Sequence, residues 1–166
     1  MSYWKAIGMG AVAGMRCMGA AALVSERLAN ARGEPLRDSP LHFLANPGVA
    51  AGLKALAAGE MVADKTPWIP DRTSPPALGG RILVGALVGA ALCSRKDYRP
   101  EVGALLGVAG AVASTYGMYH LRRDLGKELN IPDPLLAVGE DFAVCIAGGK
   151  LLDDVSWDEV QPLGAG

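Results

Sequence analysis

The chain has 166 residues and a formal net charge of −1, and 51% of its residues are apolar although only 5% are aromatic. Alanine and glycine together fill 49 positions, 27 of them Ala and 22 Gly. Long apolar runs exclude a disordered tail and a collagen-like or low-complexity segment. The balanced charge and the lack of a basic stripe give no basis for nucleic-acid binding. The three cysteines are far apart, which argues against a disulfide framework or a structural zinc site.

Five apolar stretches along the chain are the predicted helices. A helix needs about 20 residues to cross the hydrocarbon layer of a membrane. The first stretch contains Arg16 as its one charge, the fourth contains no charge, and the second and fifth are interrupted by charged residues. We therefore predict an all-α polytopic transmembrane bundle of about five Gly/Ala-rich spans, near residues 6–25, 43–64, 76–94, 102–121 and 134–152. Residues 1–152 would form a single domain, and residues 153–166 an acidic tail.

The choice of small residues favours packing in lipid over packing in water. Glycines four residues apart let two helix backbones approach closely inside a membrane. In water each such glycine would weaken a helix by about 1 kcal/mol relative to alanine. A soluble Ala-rich helical bundle is the alternative that this composition leaves open. The predicted helix-packing residues are four pairs with this spacing: Gly10 and Gly14, Gly48 and Gly52, Gly85 and Gly89, and Gly103 and Gly107.

The first stretch predicts a retained transmembrane helix rather than a cleaved signal peptide. It is long, it has Arg16 in its middle, and a single basic residue, Lys5, precedes it. With five spans, the Lys and Arg residues of the connections divide equally between the two sides, seven on each. The positive-inside rule therefore predicts no orientation.

Similar segments in the two halves of the chain suggest an internal repeat. The triplet at residues 11–13 recurs at 111–113, and the Gly-Glu pair at 59–60 recurs at 139–140. Three helices separate the two units, so they would cross the membrane in opposite directions, as in the inverted repeats of transporters. A competing match, residues 69–71 with 131–133, gives another register. Both a genuine inverted repeat and chance similarity in an Ala/Gly-rich chain stay open.

Charged residues inside the predicted spans are the candidate functional site. Arg16 lies halfway along the first span, where a lone arginine costs several kcal/mol unless it meets a partner or water. Glu60 and Asp64 are four residues apart and share a helix face. Glu140 and Asp141 lie inside the fifth span. We expect Arg16 to pair with Glu60 or Glu140, either as a structural salt bridge or as part of a polar path for an ion or proton.

The sequence supports neither a metal site nor an enzyme. Met9, Met15, Cys17 and Met18 are soft donors of the kind that suit Cu(I), but no MxxM or CxxC pair among them faces one side cleanly. No GxSxG, HExxH or phosphate-binding motif occurs. We therefore predict no cofactor, no bound metal and no enzymatic activity.

Several of these residues resemble the motifs of a known family. Gly14-Met15-Arg16, the string Glu60-x-x-x-Asp64-Lys65-x-Pro67 and the pair Glu140-Asp141 are similar to those of small bacterial integral membrane proteins, which are catalogued only as a domain of unknown function. The likeness covers about residues 8–152. Asp71 resembles the acidic residue that follows the string. The family's Arg-Pro pair before the third span is not present as such; here Arg72 precedes Pro75-Pro76 and Gly80 instead. The resemblance adds Lys65, Asp71 and Arg72 to the predicted polar network, and it implies a multi-pass membrane protein without assigning an activity.

Two functions agree with these features. The leading hypothesis is a homo-oligomeric channel or transporter-like protein for a small solute or ion, in the inner (cytoplasmic) membrane of a bacterium. The alternative is a structural or accessory subunit that packs against a membrane-protein partner, with its charges acting only as internal salt bridges.

Overall fold

The computed structural model describes residues 3–31, 36–37, 39–63, 74–94, 98–128, 133–153 and 155. The regular structure of these residues is entirely helical. A short 3-10 helix, Pro40–Ala45, precedes the third α-helix, and its first turn is capped by the Ser39 hydroxyl, which accepts a hydrogen bond from the backbone N–H of Leu41. The α-helices are α1 (Tyr3–Met15), α2 (Cys17–Ala29), α3 (Pro47–Ala63), α4 (Pro75–Cys93), α5 (Pro100–Glu128) and α6 (Asp133–Asp153).

The first predicted span differs most from the structure. Instead of one helix over residues 6–25, the chain forms two helices of 13 residues each, separated by Arg16 in an extended conformation (φ −136°, ψ 103°). Each helix is about 20 Å long, which is shorter than the hydrocarbon layer. The prediction of a single first span was therefore wrong.

Helix α1 runs antiparallel to α6. A Cβ on Gly8 would touch the side chain of Leu151, and a Cβ on Gly148 would lie 3.7 Å from Val12. Residue numbers therefore increase in opposite directions along the two helices.

Helix α2 runs parallel to α6. Gly19 faces Val144, and further along the same two helices Arg27 forms an ion pair with Asp153 at 2.5 Å. Since α1 and α2 follow α6 in opposite senses, the chain turns back at Arg16. The two helices form a V, and its open ends lie beside the C-terminal end of α6.

The glycine pairs on α1, α4 and α5 form the tightest helix contacts described. Gly10 faces Gly107, and Gly14 faces Ala111, so α1 and α5 run in the same direction. Helix α4 crosses α5 in the opposite direction. A Cβ would overlap the backbone of the facing helix at each of Gly10, Gly14, Gly85, Gly89, Gly103 and Gly107.

The fourth glycine pair is placed differently. A Cβ on Gly52 would meet no heavy atom within 4 Å. A Cβ on Gly48 would approach only the side chain of Asn46, which lies two residues earlier in the chain. Within the described part of the chain, Gly48 and Gly52 therefore do not pack against another helix, in contrast to the prediction.

The described helices do not show an inverted repeat. Such a repeat would make the helices at residues 11–13 and 111–113 antiparallel, but α1 and α5, which carry them, run parallel. Helix α5 also continues without a break over the residues that would match the turn at Arg16.

Among the residues that the structure describes, two helices are long and apolar enough to cross a membrane, Pro75–Cys93 and Pro100–Leu125. In each helix, less than half of the most apolar 18-residue segment is buried: 39% in Pro75–Cys93 and 28% in Pro100–Leu125. A core helix of a soluble protein would be mostly covered. Large apolar side chains are exposed on these two helices and on others of the bundle, among them Leu56, Val62, Leu83, Leu105, Leu135, Phe142 and Ile146.

Helix ends gather on two opposite sides of the bundle. The ring of Tyr3 packs edge-on against Tyr98, with centroids 5.0 Å apart, which joins the start of α1 to the connection between α4 and α5. The Ser25 hydroxyl donates a hydrogen bond to the Leu44 carbonyl, so the end of α2 lies beside the segment that enters α3. We call this side the Tyr3 end. Helices α3 and α5 end, and α4 and α6 begin, at the opposite end.

Candidate functional site

The break between α1 and α2 is held by a carboxylate from α3. Glu60 accepts hydrogen bonds from the backbone N–H groups of Cys17 at 3.0 Å and Met18 at 2.8 Å. In a continuous helix these groups would bond to carbonyls one turn earlier. A negative charge at a helix N-terminus is stabilised both by the free N–H groups and by the helix dipole. Glu60 thus caps α2 in place of a side chain from its own first turn.

The carbonyl groups at the end of α1 find partners on α5. The Thr115 hydroxyl lies 3.2 Å from the Gly14 carbonyl, which in a continuous helix would accept from Met18. One turn earlier, the Ser114 hydroxyl donates to the Ala11 carbonyl at 2.7 Å. The break therefore replaces the helical hydrogen bonds of Cys17 and Met18 by two bonds to Glu60. The Thr115 hydroxyl, which lies 2.7 Å from the Ala111 carbonyl, is shared with the Gly14 carbonyl.

At the apex of the V, the Arg16 side chain points into the bundle. Its Nε lies 2.6 Å from Oδ1 of Asp141 on α6, and the two side chains are 1% and 15% exposed. Both charges are thus largely removed from solvent. Such a pair is costly to desolvate and depends on close opposite charge for its stability.

A second buried ion pair lies beside the first. Arg122 lies near the end of α5, and its Nη2 is 3.0 Å from Oε2 of Glu140, which is almost completely buried. Because Glu140 and Asp141 are adjacent on α6, one turn of that helix contacts arginines from two other parts of the bundle. Arg81, buried on α4, lies within electrostatic range of the Cys17 thiol.

We call these six residues the charged layer: Arg16, Glu60, Arg81, Arg122, Glu140 and Asp141. Three are cationic and three anionic, so the layer is formally neutral. With a rise of about 1.5 Å per residue, Asp141 lies about 18 Å from the end of α6 at Asp153, and Arg81 lies about 18 Å from the end of α4 at Cys93. The opposite ends of these two helices are only about 10 Å away. Asp141 and Arg81 therefore lie at a common depth, about two thirds of the way from the Tyr3 end, whereas Arg122 lies deeper, about 33 Å along α5 from Pro100, and reaches Glu140 with its long side chain.

The predicted network is brought together in part. Arg16, Glu60, Glu140 and Asp141 all lie in the charged layer, but Arg16 forms its described ion pair with Asp141, whereas a pair with Glu60 or Glu140 was expected. Glu60 instead holds backbone N–H groups, and Glu140 pairs with Arg122. The other predicted members, Asp64, Lys65, Asp71 and Arg72, lie outside the described residues.

Sequence reasoning did not include Arg81 and Arg122 in the network. Arg81 is the one charged residue between Thr73 and Ser94, and this isolation in an apolar run was the signal that it lies in the interior. Arg122 gave no such signal, because Arg123 and Asp124 follow it and the three together are typical of a solvated helix end.

Comparison with known proteins gives a family and no more. No curated protein and no solved structure matches the chain. The family described as "Domain of unknown function (DUF4126)" matches residues 4–147, a range that includes all six residues of the charged layer. The chain therefore belongs to this family.

Proposed function

We propose that the chain is a multi-pass membrane protein in which α3, α4, α5 and α6 cross the bilayer and the V of α1 and α2 enters and leaves it from the Tyr3 end. Support comes from the two long apolar helices and from the large apolar side chains that remain exposed around the bundle. The charged layer would then lie inside the hydrocarbon region. The resemblance to small bacterial integral membrane proteins favours the inner membrane of a bacterium.

We further propose that this protein is transporter-like and moves a small solute or ion past the charged layer. The observation that carries this proposal is the break at Arg16. Helices interrupted at membrane depth, with a half-helix N-terminus that holds an anionic group, are typical of the binding sites of secondary transporters. Here Glu60 occupies that N-terminus, and buried arginines and carboxylates surround it. An inverted repeat is not part of this proposal.

Flux measurements on reconstituted protein test transport directly. The wild type in sealed proteoliposomes should carry at least one of H⁺, Na⁺, K⁺ or Cl⁻ above the level of empty vesicles. Glu60→Gln removes the charge at the α2 N-terminus and should lower that flux by about tenfold or more, the effect of about 1.4 kcal/mol on a barrier. Glu26→Gln is the matched control, because Glu26 lies on the exposed side of α2 and its loss should leave flux unchanged. No flux from folded wild type, or equal flux from Glu60→Gln, would count against transport.

The alternative is a structural or accessory subunit, and a specific observation favours it. Arg16 with Asp141 and Arg122 with Glu140 are close ion pairs between different helices, as expected of internal clamps. Mild native purification separates the two functions. A stoichiometric foreign membrane protein would support the accessory role, and a self-contained oligomer would support transport.

We also propose a homo-oligomer. The open glycines of α3, Gly48, Gly52 and Gly59, are a small-residue face of the kind that packs helices in lipid. In a chain with Cys145 replaced by alanine, oxidative cross-linking of Gly52→Cys in membranes should produce dimers, whereas Leu83→Cys on α4 should not.

A further inference from the structure

An open groove of about 270 Å³ lies between α2, α3 and α6, apart from the charged layer. Its walls are small or apolar: Gly19 and Ala22 on α2, Ala57 and Ala58 on α3, and Val144 on α6. Its volume is just below that of pockets that hold a drug-sized ligand, roughly 300–1,000 Å³. A helix about 10 Å across is too wide for such a space, whereas a single hydrocarbon chain is narrow enough.

One end of the groove carries charges of both signs. Lys54 Nζ and Glu26 Oε1 form an ion pair at 2.5 Å, and both side chains are substantially exposed, 51% and 39%. Glu26 is one turn from the end of α2, next to the exposed pair of Arg27 with Asp153 at the end of α6. This rim is therefore level with the helix ends, where a membrane surface would lie. From the rim to Gly19 the groove follows α2 for about 10 Å.

We propose that this groove binds one acyl chain of a zwitterionic phospholipid, with the headgroup on Lys54 and Glu26. The phosphate would accept from Lys54 and the ammonium group would face Glu26, so the lipid replaces one ion pair by two. The phosphate of an anionic lipid would also pair with Lys54, but such a lipid has no ammonium group to face Glu26, so the Glu26 carboxylate would lose its cation. The inference rests on the membrane location proposed above, but not on transport.

Cys145 provides a natural reporter, because it lines the groove and is exposed, whereas Cys17 and Cys93 are buried. The rate at which a small maleimide modifies Cys145 should be measured on the detergent-purified chain, with dihexanoyl phosphatidylethanolamine added below its micelle concentration. At about ten times its dissociation constant, the lipid should slow modification about tenfold. The same concentration of dihexanoyl phosphatidylglycerol should slow it less than about twofold. A Cys145→Ala chain gives the background of the two buried thiols.

Two variants separate headgroup recognition from simple burial of a chain. Lys54→Glu puts two carboxylates at the rim and should abolish protection, whereas the double exchange Glu26→Lys with Lys54→Glu restores a pair of opposite charges and should restore it. Ala58→Trp fills the groove from an exposed position on α3 and should leave Cys145 insensitive to lipid. Circular dichroism checks that each variant is folded.

Equal protection by both lipids, or full protection in Lys54→Glu, would overturn the proposal. Protection that depends on protein concentration and needs no lipid would show that a second copy occupies the groove, and would overturn it as well. Failure of the flux assay would leave these results unaffected, whereas a chain that stays in solution without detergent would remove the membrane location on which both proposals depend.

Discussion

At the scale of single residues, Arg16 and Asp141 show how much a buried charge depends on its neighbour. Arg16 is 1% exposed, and the Asp141 carboxylate is 2.6 Å from its Nε. Asp141→Asn keeps the shape but removes the negative charge, and it should lower the free energy of unfolding by about 3 kcal/mol. Unfolding of the purified protein in mixed micelles by increasing SDS measures this change. Asp153→Asn is the control, since its pair with Arg27 is exposed and should be worth less than about 1 kcal/mol. Similar losses in both variants would contradict a buried charged layer.

The same residues show what sequence can and cannot predict about the site. A charge isolated in an apolar run marks an interior position, which is why Arg16, Glu140 and Asp141 could be placed in the interior. The choice of partner could not be predicted. It depends on the break after Met15, and no proline stands there, while methionine and arginine are both good helix formers. Without the break, Cys17 and Met18 have no free N–H groups for Glu60 to bind.

At the scale of helices, the glycines of α1, α4 and α5 make a packing contact that larger residues would prevent. Gly107→Ala places a Cβ against the backbone of Gly85, and it should cost about 1–3 kcal/mol of stability in the same SDS titration. Gly52→Ala adds a Cβ where nothing lies within 4 Å, and its better helix propensity should raise stability by up to about 1 kcal/mol. A stabilising Gly107→Ala would show that α4 and α5 are not in close contact.

The positions of helices could be predicted well from long apolar runs. Features that depend on contacts between helices, such as which glycines pack and where the chain turns, could not. Helices α5 and α6 cover the predicted stretches 102–121 and 134–152, and α4 covers 76–94 except for Ser94, which follows its last residue. The GxxxG spacing alone could not tell the pairs that pack within the chain from Gly48 and Gly52, because spacing describes a surface and not what covers it. The turn at Arg16 was not predicted because no proline or other helix-breaking residue marks it.

At the scale of the whole molecule, the V changes the orientation argument. Because the V puts the start of α1 on the other side, Lys5 joins the seven Lys and Arg residues assigned to the side of Arg27, Arg37 and Arg99, and the equal division becomes eight at the Tyr3 end and six at the opposite end. The positive-inside rule then predicts that the Tyr3 end faces the cytoplasm. In a chain whose own cysteines are replaced by alanine, Arg123→Cys should react with a membrane-impermeant maleimide in intact cells, and Arg37→Cys only after permeabilisation. The reverse pattern would contradict this orientation.

If α1 and α2 turn back at Arg16 inside the membrane, Tyr3 and Arg37 lie on the same side of the bilayer, and cysteine labelling at these two positions distinguishes a V from a single span. Tyr3→Cys and Arg37→Cys, each as the single cysteine, are labelled with the same impermeant maleimide in sealed vesicles of one orientation. The V predicts that both positions are accessible from the same side. Labelling from opposite sides would mean that residues 6–25 cross the membrane once, and it would contradict both the V and the charged layer built at its apex.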